Sequence, residues 1–173
     1  MREKVVTIFG TGRAGPDDTA YKLAYQTGKL LARAGFVIAN GGYGGTMLAA
    51  AKGAAEVGGE VIGVTCSAFK ESRANEYITR EVVTGSLDER LDTLIKLGRG
   101  YIVLPGGTGT LLELAKVWEL KNKGFLEAGK PIILVGGFWK PLLDLVVTDD
   151  ADSSRYIKCA DGPKQAVELI IDK

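Results

Sequence analysis

Five largely apolar runs of four or five residues, Val5 to Phe9, Phe36 to Ala39, Val61 to Val64, Tyr101 to Leu104 and Pro131 to Val135, recur between longer stretches of helical periodicity. None shows the regular apolar-polar alternation of a strand with one wet face. Such runs are strands buried on both sides, the situation of a parallel sheet covered by helices on both faces. Two weaker strands fit Glu81 to Thr84 and a short edge strand Tyr156 to Cys159, and helices fit Thr19 to Ala34, Thr46 to Val57, Leu87 to Leu97, Thr110 to Asn122, Trp139 to Val147 and Pro163 to Ile171. Repeated βα units of this kind predict a Rossmann-like three-layer α/β/α fold with a mostly parallel sheet of about seven strands. At 173 residues the chain is expected to form one domain, residues 1–173.

In an open α/β sheet ligands bind beyond the carboxyl ends of the strands. Three glycine-rich stretches fall there: Gly10 to Gly15 after the first strand, Gly41 to Gly45 after the second, and Pro105 to Thr110 after the run ending at Leu104. The last is the most informative. Glycines at 106, 107 and 109 let the backbone turn sharply, so that its N–H groups and the dipole of the following helix can face an anion. The loop lacks the Gly-Lys-Ser/Thr ending of a triphosphate-binding loop. Gly10-Thr11-Gly12-Arg13-Ala14-Gly15 matches the dinucleotide fingerprint, yet the second strand ends in Ala39-Asn40 without the acidic residue that would hold a ribose. A nicotinamide dinucleotide is therefore excluded, and this loop is either a general nucleotide contact or a tight turn with Asp17 or Asp18 capping the next helix.

The chemistry open to the chain is narrowed by what it lacks. Without histidine there is no imidazole metal site and no Ser-His or Cys-His nucleophile, and acid-base work falls to carboxylates, lysine, tyrosine or water. A net charge of +1 supplies no broad field for nucleic acid or an anionic membrane, so neither is an expected partner. No apolar stretch near the start resembles a leader or a membrane span, and a cytoplasmic protein is expected. Cys66 and Cys159 read as small buried apolar residues, and Trp118 and Trp139 as core or subunit contacts. Ser67 to Tyr77, the least regular stretch, has the length of a lid or a dimer contact.

Glu113 stands three residues after Thr110, which leaves two readings: a capping-box partner for the helix, or a carboxylate facing the cleft. Arg90 precedes the strand that leads into the Pro105 loop; taken alone, it reads as a surface arginine paired with a neighbouring carboxylate.

Three segments resemble the LOG (Lonely Guy) proteins, also known as lysine decarboxylase-like proteins. Pro105 to Glu113, PGGTGTLLE, fits the family's PGGxGTxxE. Gly41-Gly42-Tyr43-Gly44-Gly45-Thr46-Met47 with Ala49 to Ala54 is similar to GGGPGIMEAANRGA, and Ser72 to Tyr77 resembles a third, looser segment. The resemblance implies a phosphoribohydrolase that cleaves the N-glycosidic bond of a purine, cytokinin-like nucleoside 5′-monophosphate to free base and ribose 5-phosphate. It implies Arg90 and Glu113 as the catalytic pair. Gly106, Gly107, Thr108, Gly109 and Thr110 would hold the phosphate, and the loops carrying Gly10, Thr11, Gly12, Gly41, Gly42, Gly45 and Met47 would enclose ribose and base. No metal or cofactor is required, and the family precedent is a homodimer. Leu91 stands where a lysine commonly follows the arginine, and Tyr43 and Leu48 replace a common glycine and glutamate. The same superfamily includes molybdenum cofactor carrier proteins, so a binding protein for a phosphorylated pterin or a nucleotide is the alternative. No lysine has a pyridoxal-phosphate context.

Overall fold

The computed structural model describes residues 3–70 and 73–172. Its strands are β1 (Val5–Phe9), β2 (Val37–Asn40), β3 (Val61–Cys66), β4 (Arg80–Thr84), β5 (Tyr101–Val103), β6 (Ile132–Val135) and β7 (Ile157–Ala160). They form one parallel sheet in the order β4-β3-β2-β1-β5-β6-β7. The helices are α1 (Thr19–Arg33), α2 (Thr46–Ala55), α3 (Leu87–Leu97), α4 (Thr108–Asn122), α5 (Lys140–Val146) and α6 (Pro163–Ile171), with a 3-10 turn at Ala151–Tyr156. The expected Rossmann-like architecture is what is observed.

Because successive strand residues point to opposite faces, each strand feeds two cores. Val6 and Ile8 of β1 join Ile38, Ile102 and Ile133 beneath α1, α2 and α6. Val5 and Phe9 join Val64, Val103 and Ile132 beneath α3, α4 and α5, with Leu94, Leu114 and Trp118. The parallel strands are apolar throughout for this reason. Trp118 and Trp139 are core residues whose ring N–H groups donate to the carbonyls of Ser153 (3.0 Å) and Leu104 (2.9 Å).

The strand order also positions a ligand site. From β1 the chain builds outward to β4, then returns to lay β5 on the other side of β1. Loops after β1 and β5 therefore diverge and leave a crevice at their carboxyl ends, the switch point where ligands bind in this fold class.

Several local expectations are corrected. Helix α4 starts at Thr108 rather than Thr110, with Gly107 as its N-cap, because nothing in the Thr108-Gly109 backbone resists helical geometry. Cys66 is buried but Cys159 is exposed, since it lies on β7 at the sheet's edge; both are free thiols. Asp18 is the N-cap of α1, but its carboxylate turns back to accept from the Gly15 amide at 2.7 Å and caps no helical N–H. Ser72 lies outside the described residues. Among those described, no helix is long and apolar enough to cross a membrane.

Candidate functional site

The crevice is a cleft of about 720 Å³, lined from four directions. The β1 loop brings Gly10, Thr11, Gly12 and Arg13, and the start of α4 brings Gly107, Thr108, Gly109, Thr110 and Glu113. Arg90 and Leu87 reach it from α3, while Tyr43, Met47 and Phe69 close the remaining side.

The α4 end of the cleft has the geometry that can receive an anion. A helix's first N–H groups have no intrahelical partner, and here Thr108, Gly109 and Thr110 are those residues. The N-cap, Gly107, has no side chain to satisfy them, so the amides and the positive end of the dipole stay open to a ligand. The approach to the loop is rigid: Leu104 donates its amide to Phe9 (2.9 Å) and accepts from the Trp139 indole. Thr110 is buried, and its side chain fills the space beside Gly106; a Cβ at 106 would lie 2.1 Å from the Thr110 Oγ1. Gly106 and Thr110 thus act mainly to shape the turn.

Arg90 is not a surface residue. It is 8% exposed and forms no ion pair among the described residues. Its Nε donates to the Val64 carbonyl at 2.7 Å, and its guanidinium lies 5.5 Å from the Tyr43 ring centre and 5.6 Å from that of Phe69. Both distances are within cation–π range. Tyr43 is itself anchored: its hydroxyl accepts from the Cys66 amide at 2.7 Å. Gly41 completes the berth, for a Cβ there would lie 1.7 Å from the Arg90 Nη2.

Glu113 takes neither end of a capping box. It lies in the second turn of α4, and its carboxylate accepts no hydrogen bond among the described residues. Burial raises its pKa from 4.5 to about 7, and the Arg90 charge opposes that rise only in part. A carboxylate poised near neutrality in a cleft beside an arginine can exist in either protonation state at ordinary pH.

The cleft thus joins Gly10, Thr11, Gly12, Met47, Arg90, Gly107, Thr108, Gly109, Thr110 and Glu113 of the residues named from the sequence. Gly41, Gly42 and Gly45 do not line it. They are buried behind the wall, where Gly42 (φ +78°) and Gly45 (φ +62°) let the loop press against Gly63 and against the Thr11-Gly12 backbone. Asn40 fastens that loop: its carboxamide donates to the Met47 carbonyl (3.1 Å) and accepts from the Gly42 amide (2.8 Å). Asn75 holds it from outside through the carbonyls of Gly42 and Tyr43. Residues 67 to 70 of the irregular stretch form a turn that delivers Phe69 to the cleft. Arg13, Tyr43, Phe69 and Leu87 are cleft residues that sequence spacing does not single out. Arg13 and Tyr43 follow from their places in the first and second glycine loops; no local pattern marks Phe69 or Leu87.

Comparison with known proteins agrees with the fold. Residues 3–167 match the model of the SLOG cluster4 family. A protein of Archaeoglobus fulgidus with no assigned activity is 31% identical over 79% of this chain and 87% of its own length. A cytokinin riboside 5′-monophosphate phosphoribohydrolase of Rhodococcoides fascians is 29% identical over 91% of this chain and 85% of its own. Among solved structures, the molybdenum cofactor binding protein of Rippkaea orientalis superposes with a TM-score of 0.81 at 30% identity, covering 99% of this chain and 98% of that one.

Proposed function

Because the chain belongs to the SLOG cluster4 family, we propose that it hydrolyses the N-glycosidic bond of a purine nucleoside 5′-monophosphate, releasing free base and ribose 5-phosphate. The observation that carries this reading is the meeting of Arg90 and Glu113 on the wall of the cleft whose floor is the open amino end of α4.

The 5′-phosphate would rest on the amides of Thr108, Gly109 and Thr110, where charge and hydrogen bonding both favour an anion. The ribose then lies between the phosphate and the Tyr43-Phe69 side. Breaking the bond from C1′ to the base nitrogen leaves an oxocarbenium-like sugar, which a nearby carboxylate stabilises while orienting the attacking water. Glu113 fits that role in its ionised state. The water oxygen ends on C1′, and its proton leaves with the base or to solvent. Arg90, held through Nε, the two rings and a contact from Nη2 to the Met47 Sδ at 3.9 Å, keeps its other N–H donors for phosphate or ribose oxygens, a task suited to a planar fork. We further propose that the chain acts as one domain and that a second copy borders the site.

A carrier reading has its own support in the end-to-end likeness to the Rippkaea orientalis protein and in the aromatic Tyr43 where LOG proteins commonly have glycine. It predicts that a phosphorylated pterin or nucleotide is bound and returned intact. Chromatography after incubation with adenosine 5′-monophosphate separates the two: adenine and ribose 5-phosphate support hydrolysis, whereas unchanged nucleotide on a protein that retains it supports carriage.

A further inference from the structure

A second hollow, of about 650 Å³, opens at the other end of the sheet. Pro131 and Tyr156, which line it, immediately precede β6 and β7, so it lies at the amino ends of the strands, away from the cleft. Its wall carries Lys121, Arg155 and Lys158 and no carboxylate.

Lys121 is the telling residue. It projects from the last turn of α4, is only 9% exposed, and donates a hydrogen bond to the Lys130 carbonyl. An ammonium has three donors and here no counter-ion: among the described residues neither it, Arg155 nor Lys158 forms an ion pair. Asp150 and Asp152 act on Arg155 only from a distance. Burying an uncompensated charge is costly, and both burial and the neighbouring Lys158 push the Lys121 pKa down. The helix carbonyls that could oppose an anion are already taken, since the amides of Lys123, Gly124 and Phe125 bond back to Glu119, Lys121 and Leu120. The remaining wall, Leu126, Ala128 and Pro131, is apolar.

We propose that this hollow is a second ligand site, separate from the cleft, that takes the multivalent phosphoryl end of an organic phosphate. Three cations match a group carrying more than one negative charge; one Arg155 nitrogen donates to the Tyr156 hydroxyl at 2.8 Å, and the rest of its fork is left to grip phosphoryl oxygens. The apolar wall would cover the organic part. The site is independent of the activity proposed for the cleft.

The test is an NMR titration of the isotope-labelled chain with inorganic pyrophosphate at constant ionic strength, read at two sets of amides. Saturable shifts at Gly124, Gly129 and Lys158, with an affinity distinct from any shifts at Gly107 and Gly109, are expected. In the double variant Arg155→Ala, Lys158→Ala, both surface changes, the affinity read at Gly124 and Gly129 should weaken by about tenfold or more, the loss expected when charged hydrogen-bond donors are removed, while Gly107 and Gly109 are unmoved. The proposal is overturned if Gly124, Gly129 and Lys158 do not respond, if sodium chloride moves them equally, or if the double variant binds as the parent does. Equal shifts with citrate would overturn the phosphoryl assignment. Because Gly107 and Gly109 report the cleft separately, failure at one site leaves the other legible.

Discussion

Replacing Gly41 by alanine adds one methyl group and should dislodge the arginine on which the site depends. The Gly41 backbone lies outside the left-handed region, so the effect is steric alone. The new Cβ would lie 1.7 Å from the Arg90 Nη2, 2.6 Å from the Met47 Sδ and 2.9 Å from the Arg90 Cζ. Carbon and nitrogen rest comfortably at about 3.5 Å, so the guanidinium must retreat by about 2 Å. It cannot do so while its Nε stays 2.7 Å from the Val64 carbonyl and its face stays over Tyr43 and Phe69. A hydrogen bond from a charged donor contributes about 1.5–3 kcal/mol, and overpacking costs about 1–3 kcal/mol, with the two partly alternative. A net loss of about 3 kcal/mol follows, or roughly 10 °C in Tm for a chain of this length. Displacing a positioned group by about 1 Å also lowers turnover on the order of a hundredfold. Urea unfolding and steady-state rates on Gly41→Ala measure both. Stability within about 0.5 kcal/mol of the parent, the ordinary range for a harmless surface change, together with unchanged turnover would refute the pinned arginine.

Three further outcomes follow from the same geometry. Gly106→Ala meets the Thr110 side chain and should cost about 1–3 kcal/mol in urea unfolding, whereas Gly107→Ala enters open space and should stay within about 0.5 kcal/mol; equal losses in both would contradict the turn described. Glu113 binds protons more tightly folded than unfolded, so stability should fall as pH rises from 4.5 to about 7 and level off above, by up to about 3 kcal/mol. Glu113→Gln should flatten that slope in denaturant titrations across pH, and an unchanged slope would assign it elsewhere. Trp139→Phe removes the indole donor from the Leu104 carbonyl and should cost about 1–3 kcal/mol by thermal unfolding; a neutral effect would mean that the carbonyl finds another donor.

The sheet is legible because burial on both faces imposes a composition that local sequence reveals: the apolar run Val5 to Phe9 has the bounds of β1. The crevice was legible because the glycine runs after β1 and β5 fall at the switch point. Spacing does not report which glycines touch a ligand and which touch protein. Gly41, Gly42 and Gly45 look like cradle residues in one dimension, yet each relieves a close approach from a distant segment. The same holds for the aromatic side of the cleft: Tyr43, from the loop after β2, and Phe69, from the turn after β3, are far from Arg90 in sequence and meet its guanidinium only in the fold. Thr110 and Glu113 carry the spacing of a capping box, but with the helix starting at Thr108 behind the N-cap Gly107 the two lie too far inside α4 to cap it. Cys159 is exposed where a buried thiol is expected: the edge position of β7 is legible in the sequence, but not which residues of an edge strand face solvent.

The most direct test of the account is the Glu113→Gln variant assayed for both binding and turnover of adenosine 5′-monophosphate. The substitution keeps the side chain's shape and the α4 cradle while removing the charge that would stabilise the sugar cation. The account predicts release of adenine by the parent, with a rate that rises with pH through about 7, and a variant that binds the nucleotide as well as the parent but releases no base above background. Undiminished release by Glu113→Gln, or a parent that retains the nucleotide and never cleaves it, would contradict it.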